Sequence, residues 1–81
     1  MQITVRYDEI LQEITGVAEE PVVMGGGTTF PFILHSIFSS YPEIMERYPP
    51  GTIGIFLNDA PPEASTILLD GDVVSFFAIP Q

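Results

Sequence analysis

Residues 67–81, ILLDGDVVSFFAIPQ, decide how the rest of the chain has to fold. The Asp-Gly pair at positions 70 and 71 predicts a tight turn, and residues 73–79 carry no charge and are rich in β-branched and aromatic types. We therefore predict a central strand over residues 73–79. A strand this apolar needs cover, which one helix and a few partner strands have to supply.

The length and composition exclude several classes of protein. A chain of 81 residues predicts one domain, 1–81, with one small core. The absence of Cys excludes disulfides, iron–sulfur clusters, thiolate zinc sites and a Cys nucleophile, and the absence of Lys excludes a Schiff base. The first residues, MQITVRYD, have a strand pattern and not that of a signal peptide, and no apolar run has the length of a membrane span. We therefore expect a cytoplasmic protein.

The charge is strongly acidic, with eleven Asp and Glu against two Arg and a net charge of −9. Such a surface repels phosphate backbones and anionic lipids, so we predict no nucleic-acid partner and no membrane partner. A basic protein surface would be attracted to it. The alternative is that the acidity only keeps a small apolar protein soluble, and both interpretations stay open.

The first third of the chain predicts two short strands. Residues 2–7 alternate between apolar and polar side chains, as a half-buried strand does. Residues 8–15 have near-helical spacing but meet Gly16 at once, which predicts a turn or a short helical cap. Residues 20–24 read as a second strand with Pro21 near its start. Together the two strands form a hairpin with a long loop.

One strong helix follows the three glycines at positions 25–27. Thr28 or Thr29 is predicted to cap it through a side-chain oxygen, and Pro31 suits its first turn. Pro42 ends it, with one further turn predicted over residues 43–47. Its apolar stripe supplies the cover for the C-terminal strand and consists of Phe30, Ile33, Leu34, Ile37, Phe38 and Tyr41.

The remaining segment predicts a third strand over residues 52–57 and a turn at residues 58 and 59. Residues 60–66 are at most the remnant of an edge strand, because Pro61 and Pro62 cannot donate hydrogen bonds. This order of elements predicts an α+β fold, the ubiquitin-like β-grasp roll. It has a four- to five-stranded mixed sheet with one main helix packed across it, and the first and last strands lie side by side at the centre.

Three segments of the chain, GTTFPFILHSIFSSYPEI, LND and LLDGDVVSFF, together resemble the sulfur-carrier group of β-grasp proteins. That family is typified by the small subunit of molybdopterin synthase, MoaD, and the thiamine-pathway carrier ThiS. The resemblance covers essentially the whole chain, and its ordered set is more specific than any one piece. The matching positions are Gly27, Thr29, Tyr41, Pro42, Asn58, Leu68, Asp70, Gly71, Asp72 and Val74.

The resemblance implies a function at the end of the last strand. In the family a flexible tail ends in Gly-Gly, and its carboxylate is adenylated by an activating enzyme and converted to a thiocarboxylate. The sequence here reads Pro80-Gln81 without Gly-Gly, from which we expect a non-conjugating protein that docks on a partner. A sulfur carrier for molybdopterin or thiamine-type biosynthesis is the alternative. Asp59 and the pair Pro61-Pro62 also depart from the family pattern.

The sequence predicts no catalytic residue, no cofactor and no metal site. His35 stands alone on the helix, and the Asp70 and Asp72 pair is interpreted as part of a turn. The open face of the sheet is predicted to bind a molybdopterin synthase large subunit-like protein or an adenylating enzyme. Coverage by residues 60–66 is the alternative. The predicted partner-binding residues are Phe32, Val73, Phe77, Ile79, Pro80 and Gln81.

Overall fold

A computed structural model describes residues 1–49, 51–63 and 65–79, and it contains a four-stranded mixed sheet. The strands are β1 (Gln2–Tyr7), β2 (Glu19–Val23), β3 (Ile53–Leu57) and β4 (Val73–Ala78), in the spatial order β2-β1-β4-β3. β1 pairs antiparallel with β2 and parallel with β4, and β3 pairs antiparallel with β4. The prediction that the first and last strands lie side by side at the centre is confirmed.

The apolar alternation of the central strands forms one half of the core. Ile3 and Val5 of β1 and Val74 and Phe76 of β4 are buried on the same face of the sheet. Ring contacts extend this cluster, since Phe76 stacks on Tyr7 at a centroid distance of 6.1 Å. Burying these side chains on one face leaves the alternate residues of both strands on the opposite face.

The other half of the core comes from α2 (Phe30–Ser40), which lies over the buried face. Phe30, Ile33 and Ile37 are buried, and Phe38 meets Phe76 edge-on at 6.0 Å, so the predicted stripe is confirmed. The predicted side-chain cap is wrong. Thr29 is the N-cap residue but makes no side-chain cap bond. Backbone carbonyls accept N–H groups of the first turn instead, because the Phe30 N–H donates to the Thr66 carbonyl and the Phe32 N–H donates to the Thr29 carbonyl.

Two short helices complete the cover. Residues predicted as a turn or a helical cap form α1 (Glu9–Thr15), because the Asp8 carboxylate accepts the Leu11 N–H and Gly16 ends the helix at a φ of 76°. The single further turn predicted after α2 is α3 (Pro42–Arg47), which buries Ile44. No helix in the described ranges is long and apolar enough to cross a membrane.

Among its described residues, the segment between β3 and β4 contains only a remnant of a strand, as predicted. Asn58 and Asp59 have φ values of 51° and 67° and reverse the chain, which brings Ala60 beside Leu57 on the outer edge of β3. Pro61 and Pro62 follow at once and cannot extend this pairing. The chain then returns to the start of α2, where the backbone of Ile67 forms a bridge to Thr29.

Candidate partner-docking surface

The face of the sheet turned away from α2 is open, and its residues follow from the strand register. Directly opposed residues share a face, and β1 pairs Thr4 with Val73 on one side and with Pro21 on the other. The same rule extends to β3, where Gly54 opposes Phe77. We call this surface the open face. Its residues are Gln2, Thr4, Arg6, Glu19, Pro21, Val23, Gly54, Phe56, Val73, Ser75 and Phe77.

An aromatic pair forms the apolar centre of the open face. The rings of Phe56 and Phe77 lie 5.0 Å apart at an interplanar angle of 38°. The Phe77 ring lies over Gly54, so a Cβ at position 54 would overlap it. Val23 adds apolar surface on the far edge strand, where it is 79% exposed. Two unlike apolar contributions, one aromatic and one aliphatic, thus flank the polar residues of β1.

The structure brings only some of the predicted partner-binding residues together. Val73 and Phe77 lie on the open face, four residues apart on β4. Ile79 follows the strand and is 39% exposed. Phe32 is 57% exposed on α2, so it lies on the helical side of the sheet and not on the open face. Pro80 and Gln81 lie outside the described residues.

Phe56 and Val23 belong to the open face but were not predicted from the sequence. Phe56 is exposed whereas Ile53 and Ile55 are half-buried, and Val23 is exposed whereas its neighbour Val22 is half-buried. Residues of opposite parity in a strand lie on opposite faces, so the position of each residue in its strand already separated the two faces. Assigning a face to each strand also requires the register with β4 and β1, which a single sequence does not provide.

The end of β4 is fixed from both sides. β1 stops at Tyr7, and the Asp8 side chain continues its ladder, because its Oδ2 accepts the Ala78 N–H at 2.9 Å. On the other side the Ile79 N–H donates to the Thr52 carbonyl at 2.8 Å. The same Asp8 carboxylate caps α1 through Oδ1. One carboxylate thus connects the start of α1 to the point where the chain leaves the sheet.

A groove of about 520 Å³ lies beside this exit point. Its floor is apolar, with Ile10 of α1 and Ile79 contributing exposed aliphatic surface. Arg47 is its one charged residue among those described, and it also forms an exposed ion pair of 3.5 Å with Glu43. The remaining lining residues are Tyr48, Pro49, Thr52 and Ala78.

A polar cluster lies beneath the sheet at the side of β2. The Tyr41 hydroxyl donates to Glu20 Oε2 at 2.6 Å, and this hydrogen bond to a carboxylate raises the pKa of Tyr41 to about 12. The Tyr7 ring meets the Tyr41 ring edge-on at 5.9 Å. Burial, followed by the nearby Glu20 carboxylate, raises the pKa of Tyr7 well above its usual value. Both tyrosines are therefore neutral at neutral pH, and the buried Tyr7 hydroxyl has no hydrogen-bond partner among the described residues.

The remaining polar candidates act within the fold. Asp70 Oδ1 accepts the Gln2 N–H, and Asp72 accepts the Leu69 N–H and the Asn58 side-chain amide, so both carboxylates stabilise turns. His35 is exposed on α2. Within residues 1–49, 51–63 and 65–79, no three His, Cys, Asp or Glu side chains are grouped closely enough to hold a metal ion.

Comparison with solved structures identifies the architecture. A protein described as molybdopterin converting factor subunit 1 from Pyrococcus furiosus superposes with a TM-score of 0.87 at 21% identity over 99% of both chains. The fold is the ubiquitin-like β-grasp. Small archaeal modifier protein 1 from Haloferax volcanii shares this β-grasp with a TM-score of 0.83 at 16% identity, over 99% of this chain and 97% of the other. The resemblance inferred from the sequence is thus confirmed at the level of the fold.

A third solved structure with the same fold is that of a protein complex. A chain in the complex of subunits 1 and 2 of the molybdopterin-converting factor from Helicobacter pylori matches with a TM-score of 0.68 at 22% identity, over 100% of this chain and 97% of the other. No family model and no curated protein matches the sequence. The similarity is therefore one of structure, and it extends over nearly the full length of each chain.

Proposed function

We propose that this protein works by docking on a partner protein through the open face of its sheet, without catalysis of its own. The observation that carries this proposal is the pair of Phe56 and Phe77, which presents two adjoining aromatic rings on a face that none of the described helices covers. Aromatic side chains in the centre of an interface supply much of its binding energy. The H. pylori complex of two subunits supports the proposal, because a chain of the same fold assembles there with a different protein.

The charge of the molecule defines the partner. Arg6 lies on the open face in register with Ser75 and Glu19, and the chain as a whole has a net charge of −9. A partner with an apolar patch surrounded by Lys and Arg would complement this surface and associate faster at low salt. A molybdopterin synthase large subunit-like protein and an adenylating enzyme are the two classes we propose. The cytoplasmic location and a single domain over 1–81 stay predictions.

The test compares two substitutions that introduce the same charge on opposite sides of the molecule. Phe77→Glu is expected to abolish retention of the native partner in affinity purification, because a carboxylate would be buried against an apolar patch. Phe32→Glu makes the same change on α2 and is expected to retain the partner. The far-ultraviolet circular dichroism spectrum and the thermal midpoint show whether each variant is folded.

Retention of the same partner by folded Phe77→Glu would refute the open face as the docking surface. Loss of the partner only in Phe32→Glu would move the interface to the helical side. The pair of variants therefore decides whether the partner binds the open face or the helical side of the sheet.

A sulfur carrier is the second candidate, and the similarity to molybdopterin converting factor subunit 1 over 99% of both chains favours it. Incubation with an activating enzyme and ATP would then give an acyl-adenylate on the terminal carboxylate. The mass of the C-terminal peptide isolated from native cells shows whether it carries a terminal sulfur. A terminal sulfur would identify a sulfur carrier, and its absence would favour a protein that only docks.

A further inference from the structure

The outer edge of β3 has a feature that the open face does not explain. β3 is the last strand of the sheet on its side, and its sequence, IGIFL, contains no charge and no proline. Natural edge strands are usually protected by Lys, Pro or a bulge, because an unprotected edge pairs with other strands. The edge on the other side, β2, has this protection in Glu19, Glu20 and Pro21.

Hydrogen bonds at the two ends of β3 show which backbone groups point outwards. The Thr52 carbonyl accepts the Ile79 N–H, and the Asn58 N–H donates to the Val73 carbonyl. The backbone N–H and C=O groups of the even-numbered residues of β3 therefore point towards β4. Residues of an antiparallel pair alternate in this respect, so Ile53, Ile55 and Leu57 direct their N–H and C=O groups away from β4. Leu57 agrees with this assignment, because its N–H donates to Ala60 on the outer side.

The segment that could cover this edge stops after one rung. Ala60 satisfies both outward groups of Leu57 and is followed by Pro61 and Pro62, which cannot continue a ladder. Within the described residues, no backbone hydrogen bond reaches the outward groups of Ile53 and Ile55. Their side chains are half-buried against the core and would be covered further by a neighbouring strand.

We propose that the outer edge of β3 binds an extended peptide segment as a fifth strand, and that this segment carries apolar β-branched residues flanked by Lys or Arg. Such β-strand addition takes its affinity from the backbone ladder and its specificity from alternate side chains. Here the outward groups of Ile53 and Ile55 provide the ladder. The added strand would lie beside Phe56 on one face and beside Ile53 and Ile55 on the other.

The charges around β3 favour a basic segment over a second copy of this chain. From residue 42 to residue 63 there are four acidic side chains, Glu43, Glu46, Asp59 and Glu63, and one basic side chain, Arg47. Two copies would each bring a net charge of −9 to the contact and repel each other. A segment flanked by Lys or Arg is instead attracted, and its charges also keep it from pairing with itself.

The test uses a synthetic peptide of about six residues, Lys-Val-Ile-Val-Thr-Lys, blocked at both ends, because this is the usual length of a strand. Its binding is followed by amide NMR on the full chain. We expect the Ile53 and Ile55 amide signals to shift and their hydrogen exchange to slow. The same peptide with Glu in place of Lys is expected to bind at least about tenfold more weakly at low salt, because the charge pairing is reversed.

Two variants of one residue separate the backbone from the side chain. Ile55→Ala removes side-chain area but keeps the outward N–H, whereas Ile55→Pro removes both. Proline is tolerated at an edge position whose N–H points away from the sheet, so Ile55→Pro is expected to fold. Its peptide affinity should be about tenfold below that of Ile55→Ala, because one rung of a two-residue ladder is lost.

Equal affinity of Ile55→Pro and Ile55→Ala would overturn the proposal, as would peptide-induced shifts confined to the open face. Association of the protein with itself, with protection of the Ile53 and Ile55 amides in the absence of peptide, would also overturn it in favour of a second copy. Phe77→Glu should leave peptide binding intact, so failure of edge binding and failure of the proposed open-face docking are distinguished.

Discussion

Single carboxylates connect distant parts of this chain. Asp8 caps α1 with one oxygen and holds the Ala78 N–H with the other, and Asp72 connects the Asn58 side chain to the backbone of Leu69. Each carboxylate therefore stabilises two elements at once. Some of the acidic side chains thus stabilise the fold through hydrogen bonds, besides making the surface negatively charged.

The contact of Glu20 with Tyr41 is expected to make the folded chain less stable at alkaline pH. The pKa of Tyr41 is raised from 10.0 to about 12 in the folded chain. A raised pKa contributes stability that is complete below the unfolded value and is lost as the pH rises through the folded value. We therefore expect the free energy of unfolding to fall between pH 10 and pH 12. Denaturant titrations across this range measure the fall.

The matched variant for this effect is Glu20→Gln, which keeps a hydrogen-bond acceptor but removes the charge. The pKa of Tyr41 should fall towards its ordinary value, because the hydrogen bond to the Glu20 carboxylate is the main reason why that pKa is raised. The NMR shift of the Tyr41 ring carbon that bears the hydroxyl gives this pKa directly. An unchanged Tyr41 pKa in folded Glu20→Gln would show that the carboxylate is not the cause.

Among the elements, the strands were easier to predict than the short helices. The alternation of β1 and the uncharged run of β4 each contain the period of a strand, so their existence and pairing could be predicted. α1 has only seven residues, too few for its apolar period to stand out, and its signal was the Asp8 cap. The residues of the open face were partly predictable for the same reason: the alternation placed Phe77 on that face, but Phe56 needed the register.

The packing of β3 on β4 depends on a residue without a side chain. A Cβ in Gly54→Ala would displace the Phe77 ring, which lies near the surface and can turn towards solvent. The gain from replacing glycine in a strand, about 0.5–1 kcal/mol, is comparable to the loss of one aromatic pair, about 0.5–1.5 kcal/mol. We expect a stability change within about 1 kcal/mol and a lost Phe56 contact, measured by denaturant unfolding and ring proton shifts.

This prediction has a matched variant in Phe77→Ala, which removes the ring and leaves Gly54 unchanged. If the ring contact is what Gly54→Ala disturbs, the two substitutions together should be less than additive. A loss above about 3 kcal/mol in Gly54→Ala alone would instead mean that the ring is locked in place.

At the scale of the whole molecule, charge repulsion opposes the compact state. The described residues extend over 33 × 23 × 21 Å, and the Debye length falls from about 30 Å at 0.01 M salt to about 3 Å at 1 M. All eleven acidic side chains therefore repel one another at the lower concentration and hardly at the higher one. We expect the thermal midpoint to rise with sodium chloride over this range, measured by circular dichroism.

A control for the salt effect is Glu13→Gln, an exposed substitution on α1 that lowers the charge without touching the core. It should raise the midpoint at 0.01 M and have little effect at 1 M. A wild-type midpoint that falls with added sodium chloride would show that favourable ion pairs outweigh the repulsion.

The pairing of β1 with β4 also has a consequence for the order in which the protein is made. Thr4 and Val73 are neighbours in the sheet, yet a ribosome adds the second only after all the intervening chain has been synthesised. Until then β1 has β2 as its one available neighbour, and the apolar stripe of α2 has no finished surface to cover. Contacts this distant in sequence form late and slowly. Release of the last strand from the exit tunnel is therefore the event that permits the nascent chain to become compact.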